Sequence, residues 1–165
     1  MKKEFIPDSM TVYRIVKTEV RAGDLSGTGA FKVGGRWNNP GVFALYTSEN
    51  QALAMLELLV HIEESELPPD LYIITLEIDD KAPILELIDE ELPKDWRLPD
   101  NIVLKNMGDR LLLKKENLGF RVRSAVMPDE YNVVLNPLYP DFNKLIKVIK
   151  IDRLEVDQRL NPPTN

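Results

Sequence analysis

Five polar residues are explained neither by core packing nor by an ordinary solvated surface, and their types indicate a binding site. They are two arginines, a tyrosine, a glutamate and a serine: Arg14, Arg36, Tyr46, Glu57 and Ser124. Arginine binds phosphate through paired hydrogen bonds, and tyrosine stacks on flat rings. A carboxylate beside a sugar stabilises an oxocarbenium-like transition state. The set therefore suits an anionic ligand that carries a sugar and a flat ring.

The same residues make a poor hydrolytic triad. Serine catalysis of the usual type needs a histidine between the serine and the acid. The only histidine, His61, follows Glu57 by about one helical turn. A lone carboxylate instead fits a leaving group that departs without protonation, and nicotinamide is such a group.

Residues 34–57 form the stretch that would position three of these candidates. Residues 34–41, GGRWNNPG, have the composition of a shaped loop around Arg36. A short strand is predicted over residues 43–46. Ser48 and Gln51 form a capping box, which predicts a helix beginning at about residue 49 and running to residue 64. Glu57 falls at the margin of the apolar stripe predicted for that helix, which comprises Ala52, Met55, Leu56, Leu59, Val60 and Ile62.

Arg14 and Ser124 lie in predicted strands over residues 11–17 and 120–126. Strand alternation places Arg14 on the face of Val12 and Val16, which leaves two alternatives. The arginine either extends to the surface or is buried against an anionic group. Ser124 shares a face with Val122. A hydrogen-bonded core hydroxyl and a functional serine both fit that pattern.

The remaining pattern predicts an α+β fold with a largely antiparallel sheet. Further strands are predicted at residues 71–78, 83–88, 131–135 and 145–151, the last as a sheet edge protected by lysines. A second helix is predicted at residues 102–116, with Gly119 in its C-cap region, and residues 19–31 are expected to form a flexible glycine-containing approach to the loop.

Composition narrows the class of protein. The 165 residues predict one domain with a core over about residues 11–153 and less ordered ends at 1–9 and 155–165. No cysteine and a single histidine leave no expected metal site. The formal net charge of −6 argues against nucleic-acid binding. No signal peptide or membrane span is recognisable, and a cytoplasmic protein is expected.

Several segments in order along the chain resemble the RES-domain family, the toxin half of RES–Xre toxin–antitoxin pairs. They are YRI at 13–15, SGTGAFKVGGRWNNPG at 26–41, LYTSENQALAMLELLVH at 45–61, RSAVMPDEYNVVLNP at 123–137 and PDF at 140–142. The GGRWN segment and the alanine-leucine-glutamate helix are the specific parts.

The resemblance implies an ADP-ribosyltransferase-like fold and consumption of NAD⁺ as substrate, without a permanently bound cofactor. Arg14 and Arg36 would hold phosphates, and Tyr46 would line the nicotinamide side. Glu57 would stabilise the ribosyl cation, with Arg36 and Ser124 completing the catalytic set. Gly35 and Trp37 of the loop would contribute to NAD⁺ binding.

The resemblance leaves the acceptor open among water, inorganic phosphate as co-substrate, and a protein that becomes ADP-ribosylated. It implies an Xre-family antitoxin as partner, and homodimerisation within that complex stays open. The chain departs from relatives at Tyr139, where many have histidine, at Arg123, where proline is frequent, and in lacking a tryptophan near residues 110–112. A catalytically impaired module that binds NAD⁺ or a partner is therefore an alternative.

Overall fold

A computed structural model describes residues 8–62 and 67–160 and shows one seven-stranded sheet flanked by helices. The helices are α1 (Glu19–Ala22), α2 (Thr28–Val33), α3 (Gln51–Leu59), α4 (Ile102–Lys114) and α5 (Phe142–Leu145). The strands are β1 (Met10–Val16), β2 (Leu45–Ser48), β3 (Asp70–Ile78), β4 (Ile84–Glu86), β5 (Gly119–Arg123), β6 (Tyr131–Leu135) and β7 (Ile146–Glu155). Short 3₁₀ helices occur at Asp89–Glu91 and Gln158–Leu160.

The sheet has the order β4-β5-β6-β2-β1-β3-β7. The β4–β5 pair is parallel, and the other neighbours are antiparallel. The predicted α+β fold with a largely antiparallel sheet is confirmed. In the middle of the sheet, β1 and β2 are in register at Tyr13 and Ser48. Among the helices of the described residues, none has the length and apolar character needed to cross a membrane.

Each face of the sheet carries its own apolar core. On one face Val12 and Val16 of β1 pack with Leu45, Val133 and other buried residues. On the other face, Phe120, Val122 and Val134 pack against Trp37 and against α4. Strand alternation separates the two sets, so neighbouring residues of one strand serve different cores.

Several strands lie where the sequence pattern predicts them. The β6 bounds are those predicted, and β1 and β3 agree within one residue at each end. The prediction that β7 is an edge strand is confirmed, but β7 continues to Glu155. It is longer because Asp70 pairs in register with Glu155 and makes an ion pair with Arg153 at 2.6 Å. Of the ends predicted to be less ordered, 1–9 and 155–165, residues 1–7 and 161–165 lie outside the described residues. Within the described part, Glu155 belongs to β7 and Gln158–Leu160 form a 3₁₀ helix.

The start of α3 and the face that it buries both differ from the prediction. Asn50 caps the helix by accepting a hydrogen bond from the Leu53 amide at 2.7 Å, so the helix begins at Gln51. Ser48 belongs to β2 and forms no capping box. The buried residues are Leu53 and Ala54, whereas Ala52 and Val60 of the predicted stripe are exposed. The helix ends at Leu59, so predicted helical residues 60–62 are not helical, and residues 63 and 64 lie outside the described part of the chain.

Three smaller predictions are also corrected. Strand β2 begins two residues later than expected, and Phe43 instead stacks on Phe31, with 4.3 Å between ring centroids. Residues 19–31 contain α1 and part of α2, and so are not a continuous flexible segment. Lys115, with φ of 53°, caps α4, and Gly119 is the first residue of β5.

We expect Gly108→Ala to destabilise the protein by about 2 kcal/mol, although alanine favours a helix by about 1 kcal/mol. A Cβ at Gly108 would lie 1.8 Å from the Trp37 carbonyl oxygen, so α4 would have to move away from the loop. Urea denaturation measures the change in free energy of unfolding.

Gly29→Ala is the matched control, because its Cβ would meet only the Arg21 Nη2 atom at 3.6 Å. This helical substitution should be neutral or slightly stabilising. If Gly108→Ala is as stable as the control, α4 does not pack on the Trp37 backbone as described.

Candidate active site

The Glu57 carboxylate joins α3 to the end of β5 and to β6. Its Oε1 accepts hydrogen bonds from Ser124 Oγ and from Asn132 Nδ2, both at 2.6 Å. Both bonds fall on one oxygen, and Oε2 makes no hydrogen bond to any residue that the structure describes. The described residues therefore hold one carboxylate oxygen by two hydrogen bonds and make none to the other.

Ser124 is fully buried and lies immediately after β5, which ends at Arg123 and does not continue to residue 126 as predicted. Its Oγ accepts hydrogen bonds from the backbone amides of Val126 and Met127, each at 3.1 Å. Because those amides occupy the acceptor side, the hydroxyl proton is directed to Glu57. Ser124 is thus a satisfied buried hydroxyl whose partner is the candidate catalytic carboxylate.

Asn132 is a site residue that the sequence analysis missed. It lies in β6, in register with Ser48 of β2 and Val122 of β5. Its amide oxygen accepts a hydrogen bond from Ser48 Oγ at 2.7 Å, while its amide nitrogen donates to Glu57. The available signal was its position two residues before Val134, on the same strand face as that fully buried core residue.

Arg36 lies in the electrostatic neighbourhood of Glu57. Its Nη1 donates to the carbonyl oxygens of Trp96 and Leu98 at 3.0 and 3.2 Å, which fixes one side of the guanidinium. Burial lowers the pKa of Arg36, and the negative charge of Glu57 opposes that shift. The arginine therefore retains its charge and has further N–H donors for an anion.

Tyr46 supports the loop that carries Arg36. Its hydroxyl accepts from the Trp37 amide at 2.9 Å and donates to Asn38 Oδ1 at 2.7 Å. Burial raises the pKa of Tyr46 far above its usual value, so the phenol stays neutral. A Cβ at Gly35 would lie 2.6 Å from the Tyr46 hydroxyl, so only glycine allows the loop this close to the ring.

Gly35 and Trp37, both predicted to bind NAD⁺, are occupied by contacts within the protein. The Gly35 amide donates to Asn38 O at 3.0 Å, and its carbonyl accepts from Lys105 Nζ at 2.7 Å. The Trp37 ring is buried edge-on against Phe120. Their ligand contacts stay predictions, and the geometry favours a role in fixing the backbone on either side of Arg36.

The structure does not bring Arg14 to Glu57. Arg14 shares a face of β1 with buried Val12 and Val16, whereas Tyr13 is the residue in register with Ser48. Its Nε is buried without a hydrogen-bond partner among the described residues. Burial and then the charge of Arg21 lower the pKa of Arg14, and Asp24 opposes them. Its predicted contact with phosphate remains a prediction.

Tyr139 and Arg123, two departures from the family pattern, make packing and ion-pair contacts away from Glu57. Tyr139 packs against the core that contains Val12 and Leu45, on the face of the sheet opposite the Glu57 network. Arg123 makes an ion pair with Asp89 at 3.0 Å. Neither side chain makes a hydrogen bond with Glu57 or Ser124 within the described residues.

We expect Tyr46→Phe to destabilise the protein by about 1–3 kcal/mol, because it leaves the Trp37 amide and Asn38 Oδ1 without their partner. Thermal and urea denaturation would measure the loss. Tyr13→Phe is the control, since the Tyr13 hydroxyl makes no hydrogen bond within the described residues. Equal stability of the two variants would show that Tyr46 does not anchor the loop.

The RES domain family model matches residues 11–157. A relative named Toxin Res, from Photorhabdus laumondii subsp. laumondii, is 35% identical over 153 residues, which cover 92% of this chain and 97% of the relative. Prs ADP-ribosylating toxin from Sphingobium sp. (strain YBL2) is 34% identical over 142 residues, covering 84% of this chain and 88% of that protein.

A solved structure, the M. tuberculosis MbcT–MbcA toxin–antitoxin complex, has a chain with a TM-score of 0.71 and 20% sequence identity. The match covers 91% of this chain and 86% of that chain, and at this identity it shows a shared fold. The family model, by contrast, spans residues 11–157 and so includes all of the candidate site residues. Together with the 35% identity to Toxin Res, this match establishes that the chain belongs to the RES-domain family.

Proposed function

We propose that this protein is the toxin of a toxin–antitoxin pair and consumes NAD⁺ by cleaving the bond between nicotinamide and ribose. The observation that carries the proposal is the Glu57 carboxylate, with Oε1 held by Ser124 and Asn132 and with Oε2 unbonded within the described residues. The name of one relative, Toxin Res, supports the role of a toxin, and the name of another, Prs ADP-ribosylating toxin, supports chemistry on ADP-ribose.

The proposed chemistry is charge stabilisation. When the glycosidic C–N bond breaks, its electron pair goes to the pyridinium nitrogen, nicotinamide leaves neutral, and positive charge develops on the ribose. Oε2 of Glu57 would face that charge. Such an electrostatic interaction stabilises the transition state more strongly in a site that excludes water than in bulk water. Arg36 would bind the phosphates by charge-assisted hydrogen bonds. No general acid is required, and His61 is exposed beyond the end of α3.

The ribosyl cation then reacts with an acceptor. Attack by water gives ADP-ribose, and attack by inorganic phosphate gives its phosphorylated form. Transfer to a protein side chain is the second candidate, and one observation favours it: the 34% identical relative is named as an ADP-ribosylating toxin. The likeness to a chain of a toxin–antitoxin complex supports an antitoxin partner, which we propose is of the Xre family.

We expect Glu57→Gln to lower the rate of NAD⁺ consumption by about 10²–10³-fold, the usual cost of removing a transition-state charge partner. Glutamine keeps the shape of the side chain, and its Oε1 can still accept from Ser124 and Asn132. Chromatography of nicotinamide release over time would measure the rate. Glu116→Gln, at an exposed residue, is the matched control and should retain wild-type activity.

Product analysis with and without inorganic phosphate separates the acceptors. Free ADP-ribose without phosphate means hydrolysis, and a phosphate-dependent product means phosphorolysis. Label from NAD⁺ that appears on protein means transfer. If wild-type protein binds NAD⁺ but releases no nicotinamide under any of these conditions, the enzymatic proposal is wrong and the binding-module alternative replaces it.

We expect Arg36→Ala to weaken NAD⁺ binding by about 10–100-fold, because a charge-assisted hydrogen bond contributes about 1.5–3 kcal/mol. Titration calorimetry on the Glu57→Gln background would measure affinity without turnover. Arg159→Ala is the control, since Arg159 is exposed and pairs locally with Asp157. Unchanged affinity for Arg36→Ala would show that this arginine only fastens the loop at residues 96–98.

A further inference from the structure

We infer that Asn132, fixed by Ser48, is a positioning residue that sets the orientation of the Glu57 carboxylate. The inference deepens the proposed function, on which its kinetic test rests. Asparagine is disfavoured in strands, so its place inside β6 calls for a reason in its side chain. The reason that the structure offers is a relay of hydrogen bonds from β2 through β6 to α3.

The relay uses both ends of the amide. Ser48 Oγ donates to Asn132 Oδ1 at 2.7 Å, and Asn132 Nδ2 donates to Glu57 Oε1 at 2.6 Å. The opposite amide orientation would turn Oδ1 toward the carboxylate, where two acceptors would face each other. Ser48 is buried in β2 directly opposite Asn132, so the orientation is fixed by strand register.

The consequence for Glu57 is a carboxylate held from two directions. Ser124 approaches Oε1 from the end of β5, and Asn132 approaches it from β6. With both donors on one oxygen, rotation of the carboxylate would break two hydrogen bonds together. Oε2 is thereby kept facing away from the two donors, where a cationic reaction centre can approach it. Small misplacements of such a group cost large factors in rate.

Asn132 acts only through Glu57 in this scheme. Asn132→Ala should therefore lower kcat for NAD⁺ consumption by about 10–100-fold, with KM changed by less than about threefold. Asn143→Ala, at an exposed residue of α5, is the matched control and should match the wild type in kcat and KM.

Ser48→Ala tests the relay itself. Because Ser48 acts through Asn132, the Ser48→Ala/Asn132→Ala double variant should be no slower than Asn132→Ala alone. Additive losses would mean that the two residues act separately and would overturn the relay. Unchanged kcat in Asn132→Ala, or a rise in KM with kcat unchanged, would overturn the positioning role.

A crystal structure of Asn132→Ala, with a folding check by thermal denaturation, gives a readout that does not depend on activity. The Glu57 side chain should adopt one orientation in the wild type and a second or spread orientation in the variant. An unmoved Glu57 would refute the inference. If Glu57 is reoriented in Asn132→Ala but the wild-type protein turns over no NAD⁺, the positioning role is retained and the proposed function is refuted.

Discussion

The structure of the site depends on one interaction, the pair of hydrogen bonds that meet on Glu57 Oε1. A carboxylate on the partly buried side of a helix loses hydration, and such a charge is tolerated only where donors compensate it. Here the donors come from Ser124 and Asn132, which belong to different parts of the sheet. The bonds form only if α3, which packs on β1 and β2, brings Glu57 within reach of β6 and of the residue that follows β5. The same contact therefore fixes the helix on the sheet and prepares the carboxylate.

A second constraint acts on the loop that carries Arg36. It is steric, because the loop packs closely against Tyr46 and α4. Gly35 lies against the Tyr46 ring and Gly108 lies against the Trp37 carbonyl, at distances that leave no room for a side chain. The Tyr46 hydroxyl then accepts a hydrogen bond from the Trp37 backbone amide and donates one to the Asn38 side chain. Arg36 is thus placed by packing on both sides of it, while its charged end remains near Glu57. In this arrangement the aromatic residue contributes more to the shape of the loop than to a ligand surface.

The sequence predicted the strands well because alternation and β-branched residues mark them directly. It also singled out Glu57 and Ser124, since each is a polar residue on a face otherwise apolar. The buried face of α3 was not predictable in the same way, because the helix is apolar on most sides and Leu53 and Ala54 are selected by the sheet beneath. Ser48 could serve as a cap or as a strand residue, and only pairing with β6 decides between them. The role of Asn132 likewise depends on the pairing of β2 with β6, which sequence alone does not show.

For Arg14, the structure differs from the role that the family resemblance implies. Its burial among valines follows from alternation, yet its charged neighbours are Arg21 and Asp24 rather than Glu57. The described site near Glu57 therefore contains a carboxylate with a free oxygen, one arginine and buried donors, and no group placed to protonate a leaving group. Such a set, in the function proposed, stabilises charge on the ribose without dictating what attacks it. In the proposed function, the acceptor would be the group on the opposite side of the ribose, so the same residues would serve hydrolysis, phosphorolysis and transfer.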